Sequence, residues 1–207
     1  EKELGFLGRL LTNPKRPLVA VLGGAKVSGK LEVLTNLMKT VDTFLIGGGM
    51  AFTFLKAQGK PIGKSLCEDD LVDTARLVLH DATKSGRRII LPWDCVIAPD
   101  LSPGAQHSIV AVESIPDDMA GYDIGPHAIK DFEEALQGAG TIFWNGPMGF
   151  FEKEPFLTCP VVKIRHFLRA ALWIFYYPGI HTRQNSNFVI INVCPVKGFW
   201  YFLKGRK

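Results

Sequence analysis

Residues Leu18 to Lys30 read LVAVLGGAKVSGK, an apolar run, two glycines and two lysines four positions apart leading into a helix-forming stretch. That order suits an anion cradle, because the first turn of a helix leaves its N–H groups unpaired and its dipole favours negative charge. Glycine lets the backbone approach a phosphate closely, and Lys26 and Lys30, placed on one helical face, add two positive charges. The same residues also fit an ordinary βα turn with solvated lysines. From Gly24 the stretch spells a P-loop pattern up to its last position, where Leu31 stands instead of a magnesium-holding serine or threonine. Leu31 joins Leu34, Leu37 and Met38 in the apolar stripe of a helix packed on a sheet, which makes a P-loop NTPase the weaker reading.

The design recurs twice. Thr43–Ile46 is a β-prone run followed by Gly47-Gly48-Gly49 and a helical stretch, Met50 to Gln58. A third loop, Trp144 to Glu152 (WNGPMGFFE), follows the β-prone Thr141–Trp144 and carries an amide, a carboxylate and two phenylalanines. Glycine-punctuated strand-to-helix turns of one α/β chain gather at the carboxyl edge of a parallel sheet, where such sheets bind ligands.

GGAKVSGK, IGGGMAFTFLKAQG, YDIGP (Tyr122–Pro126) and WNGPMGFFE, in this order and spacing, resemble the nucleotide-binding, carboxyl-terminal half of phosphoglycerate kinase. The likeness runs from Glu1 to about Phe156; Gly29 and Phe150 depart from the family's common acidic residue and valine. It implies phosphoryl transfer between 1,3-bisphosphoglycerate and ADP, giving 3-phosphoglycerate and ATP in glycolysis, with ATP or ADP and Mg2+ as cofactors. The position of Lys26 is then catalytic, steadying the phosphoryl group in flight, and Lys30 grips nucleotide phosphates, roles that suit an ammonium point charge. The nucleotide site also takes in Gly24, Gly146 and Phe151. Gly47, Gly48 and Gly125 correspond to glycines lining an adenine slot, Asn145 to an amide facing the phosphates, and Glu152 to a carboxylate accepting the ribose hydroxyls. Taken as residues alone, Glu152 also reads as a surface acid and Asn145 as a turn residue.

Beyond Phe156 the resemblance leads one to expect GGGDS and STGGGASLE segments, which the sequence does not contain. The first supplies the family's metal-ligand aspartate, so no metal ligand is expected here. The 3-phosphoglycerate-binding, amino-terminal half of the family fold is likewise not found. A catalytically inactive adenine-nucleotide binding module is therefore the alternative function. The expected organisation is an interdomain-type helix over 1–14, a nucleotide-binding domain over 15–156 and a divergent tail over 157–207.

The tail's chemistry differs from that of the body. Residues 1–154 hold sixteen basic and twenty acidic residues, whereas 155–207 hold eight basic and no acidic ones, and half of the aromatics. Such a segment suits a basic-tail interaction protein, or a stretch never selected with the fold, as after a frame change or read-through. The second reading leads us to expect a tail that does not dock, although its β-prone run Asn187–Val193 could pair with an open sheet edge. No nucleic-acid partner is expected. Its longest uncharged apolar stretch, Ala170 to Tyr177, falls far short of the roughly 20 residues of a membrane span. Four scattered cysteines and the lack of a signal peptide point to the cytoplasm, and a monomer is expected.

The elements that must position these loops are strands near Leu18–Leu22, Thr43–Ile46, Arg88–Leu91, Ile109–Val112 and Thr141–Trp144. They alternate with helices near Gly29–Lys39, Met50–Gln58, Glu68–Ser85 and Pro126–Gln137, the third opened by a Ser65/Glu68 capping box. The alternation predicts a three-layer, Rossmann-like α/β domain with a mainly parallel sheet, incomplete at its C-terminal end.

Overall fold

A computed structural model describes residues 14–102 and 104–150, and the backbone of the strand segments 174–177, 180–185 and 188–192. Residues 1–13, where most of the expected interdomain helix falls, lie outside the described residues.

Strands β1 (Leu18–Leu22), β2 (Thr43–Ile46), β3 (Arg88–Ile90) and β7 (Thr141–Asn145) form a parallel sheet in the order β3-β2-β1-β7. β1 and β2 are buried at every position and apolar but for Thr43, as suits strands covered on both faces. Alternate residues divide between the faces. Leu18, Ala20 and Leu22 pack with Leu34 and Leu37 of α1 (Leu31–Leu37), Phe54 of α2 (Met50–Ala57) and Ala75 of α3 (Val72–Lys84). Val19 and Val21 pack with Ala128, Ile129, Phe132 and Leu136 of α4 (Pro126–Gln137). This is the expected three-layer arrangement.

The region between β3 and α4 departs from the prediction. β4 (Asp94–Ala98), β5 (Ser108–Ala111) and β6 (Ala120–Ile124) form a separate antiparallel sheet in the order β5-β4-β6, so the strand expected near Ile109 does not extend the parallel sheet. β6 reads poorly as a strand because it contains Gly121, yet a Cβ there would fall 2.1 Å from the ring of Phe52. Close approach of the α2 side chain, not strand propensity, determines that residue.

The Ser65/Glu68 capping box is also corrected. A short 3-10 turn, Asp69–Leu71, precedes α3, and Glu68 makes no capping bond to it. The Oγ of Ser65 instead accepts from Gly121 N at 2.8 Å. Both side chains serve distant backbone.

At its other edge β7 is paired. β10 (Phe188–Asn192) runs parallel to it, with Val189 opposite Thr141 and Asn192 opposite Trp144, and continues antiparallel into β9 (Ile180–Asn185) and β8 (Ile174–Tyr177). The expectation of an undocked tail is thereby corrected at the level of backbone pairing. An open strand edge presents unpaired N–H and C=O groups to any β-prone run, and Phe188–Asn192 is such a run.

Candidate functional site at the carboxyl edge of the sheet

The three glycine loops leave β1, β2 and β7 at the same edge and are tied together by backbone hydrogen bonds. Gly23 N donates to Asn145 O at 2.9 Å, Gly47 N to Leu22 O at 2.9 Å, Gly48 N to Met148 O at 2.7 Å and Met50 N to Gly24 O at 2.9 Å. These links need glycine. Gly48 and Gly146 have φ of +68° and +95°, and a Cβ would come within 2.8 Å of Gly24 backbone at the first and 2.2 Å of Gly23 O at the second.

Among the expected nucleotide-site residues, the structure brings Gly24, Lys30, Gly47, Gly48, Asn145 and Gly146 together. Lys30 Nζ donates to Asn145 Oδ1, joining the first loop to the third. Asn145 is buried and Lys30 half-buried, while Lys26 is exposed. The two lysines do not share a helical face, because α1 begins at Leu31, Lys30 is its N-cap and Lys26 lies in the preceding loop. Leu31 itself packs against the core, as its place in the apolar stripe predicts. Phe151 and Glu152 lie outside the described residues.

Gly125 has a different setting. A Cβ on it would fall 2.3 Å from the Asp94 carboxylate, which is 2 % exposed. That carboxylate accepts from Ala128 N at 2.8 Å and His127 N at 3.1 Å, the otherwise unpaired donors of the first turn of α4. At Gly47 and Gly48 the same direction meets Met148 Sδ at 2.6 Å and Gly24 backbone at 2.8 Å. The space freed at all three glycines is occupied by the protein itself. Asp94→Ala is expected to strand two N–H groups and to lower stability by about 1–3 kcal/mol, read as a lower midpoint in urea at unchanged slope.

Beside Gly48, a narrow pocket with room for little more than a water molecule is lined by Phe52, Leu55, Pro92, Tyr122, Asp123 and Met148 among others. Cys95 also lines it, and burial, then the charge of Asp94, pushes its thiol up to about 12, so it is neutral at physiological pH.

Sequence spacing gave no sign of one further contact, across forty positions. Ser28, between the two lysines, donates from its N–H to Glu68 Oε2 at 2.9 Å and from its hydroxyl to Glu68 Oε1 at 2.6 Å. The Ser28 hydroxyl holds the Glu68 carboxyl below its ordinary range, with the backbone of Ser28 and Val27 and the charge of Lys26 adding to that against burial. A depressed carboxyl contributes fully above the ordinary carboxylate range, so this grip is lost as pH falls through the lowered value.

Among the described residues, no group of three or more His, Cys, Asp or Glu side chains could hold a metal ion. No helix there is long and apolar enough to cross a membrane.

Comparison with known proteins converges on one family. The family model described as phosphoglycerate kinase matches residues 1–169. Phosphoglycerate kinase of Pelotomaculum thermopropionicum is 54% identical over 156 residues, covering 75% of this chain and 40% of the relative. That of Chlorobium phaeobacteroides is 53% identical over 156 residues, covering 75% and 39%. The structure of phosphoglycerate kinase from Coxiella burnetii superposes with a TM-score of 0.74 at 42% identity, over 76% of this chain and 41% of that one. The chain thus spans about 40% of the length of the curated relatives it matches.

Proposed function

Because the chain belongs to the phosphoglycerate kinase family, we propose that it is the carboxyl-terminal, nucleotide-binding part of such a kinase and binds ADP or ATP where the three glycine loops meet. The observation that carries this reading is the junction of the loops, in which Lys30 reaches Asn145 across the edge of the sheet. An ammonium beside a side-chain amide, framed by backbone too close for side chains, suits a nucleotide's phosphates. Exposed Lys26 is free of the sheet's packing and is assigned to the moving phosphoryl group, Glu152 to the ribose and Phe151 to the nucleotide site. Magnesium is assigned to the bound nucleotide's phosphates, where it neutralises charge in phosphoryl transfer. The reaction served is transfer between 1,3-bisphosphoglycerate and ADP, in the cytoplasm, by a monomer.

Titration calorimetry with ADP tests the binding. A hydrogen bond to a charged group contributes about 1.5–3 kcal/mol, so Lys30→Ala is expected to weaken ADP binding roughly ten- to a hundredfold. Absence of binding to the chain, or an unchanged affinity in Lys30→Ala, would refute the reading.

A further inference from the structure

The loop carrying Lys26 and Lys30 has few anchors of its own. Ala25, Lys26, Ser28 and Gly29 are exposed, and a Cβ built on Gly29 would meet nothing within 4 Å. Val27 is buried, and its carbonyl accepts from Lys30 N at 2.8 Å and Leu31 N at 3.0 Å. From outside the loop, Glu68 takes hold midway between the lysines, one carboxylate oxygen on the Ser28 amide and the other on its hydroxyl.

Glu68 is itself fixed. Its N–H donates at 3.1 Å to Oγ1 of Thr53, a buried residue of α2, the helix that opens directly after Gly47-Gly48-Gly49. Two residues earlier, Leu66 lies against Gly49, its Cδ2 3.0 Å from where a Cβ would stand. Ser65 is held to Gly121. The segment 65–68 therefore straps the second glycine loop and its helix to the first loop.

We infer that Glu68 is a positioning residue: anchored on Thr53, its carboxylate grips Ser28 and holds the backbone between Lys26 and Lys30 in the shape that meets a nucleotide's phosphates. The inference rests on the nucleotide-binding reading above. Both carboxylate oxygens are engaged by Ser28, so the acid serves the loop's conformation. Its depressed carboxyl, with Lys26 among the causes, agrees with that geometry.

The test uses the whole chain, with Glu68→Ala, Glu68→Gln and Ser28→Ala variants, hydrogen exchange at the Ser28 amide, and calorimetry with ADP and with adenosine. If release leaves the loop binding-competent about one part in ten, Glu68→Ala weakens ADP roughly tenfold while adenosine, which has no phosphates, is unaffected. The Ser28 amide then exchanges faster. Glu68→Gln, which keeps an acceptor, falls between wild type and Glu68→Ala. Ser28→Ala, at an exposed position that does not endanger folding, shifts ADP affinity in the same direction by less. Unchanged exchange and ADP affinity in Glu68→Ala overturn the inference, as does an equal loss for adenosine, which marks a general effect on the fold. Should wild type bind no ADP, the nucleotide reading fails first; an exchange difference at Ser28 then leaves a structural contact, and the positioning role is lost with the reading.

Discussion

A polypeptide of these 207 residues, supplied with 1,3-bisphosphoglycerate, ADP and magnesium, is expected to form no ATP above background in a coupled assay. On the nucleotide-binding reading the loops at the sheet edge hold the acceptor ADP or the product ATP, but transfer in line also needs the donor acyl phosphate placed against them. Positioning of that kind is worth effective molarities of about 10⁵–10⁸ M. The segments that family resemblance associates with the metal-ligand aspartate and with anion-binding helix starts, GGGDS and STGGGASLE, do not occur in the sequence. Loss of even one preorganised donor to developing charge costs about 10²–10³ in rate. These factors act on one transition state, so together they take turnover below detection while leaving nucleotide binding in place. Reproducible ATP formation that disappears in Lys26→Ala would overturn the expectation.

The next largest effect is expected from Phe132→Ala, at about 3–5 kcal/mol of lost stability. Phe132 is 1 % exposed and sits among Val19, Val21, Ile142, Trp144 and Ile129, where α4 covers the sheet face opposite α1, α2 and α3. Truncation removes the transfer free energy of a buried ring and leaves a cavity between rigid layers that cannot close fully. A domain's net stability is only about 5–15 kcal/mol, so the variant keeps a small remainder. Urea unfolding should show the loss as a lower midpoint at unchanged slope. A change under about 1 kcal/mol would mean that α4 does not carry this face of the core.

What was legible from residues alone is local. β1 and β2 occur at the predicted bounds because each is a short β-prone run, apolar but for Thr43, closed by glycines. α4 matches Pro126–Gln137 because Pro126 occupies its first turn and Ala128, Ile129, Phe132 and Leu136 repeat at helical spacing. Those signals lie within one element, so chain order suffices to read them. The gathering of the three glycine loops follows from the same alternation, since parallel strands joined by helices put their carboxyl ends on one edge.

Tertiary structure decided the rest, wherever a residue answers to a partner far along the chain. β4 and β6 belong to an antiparallel sheet whose pairing no local pattern reveals, and Gly121 sits in β6 because Phe52 packs against it. The start of α1 at Leu31 separates Lys26 from Lys30, and Lys30 turns to Asn145, 115 positions away. Asp94 caps α4 from another strand and takes the space at Gly125. Ser65 and Glu68, spaced as a helix cap, serve Gly121 and Ser28 instead. β10 covers the open edge of β7 because unpaired backbone groups seek partners whatever the sequence that brings them. Apolar period and turn chemistry are properties of a few consecutive residues, whereas hydrogen-bond partners and close contacts exist only once the layers have packed.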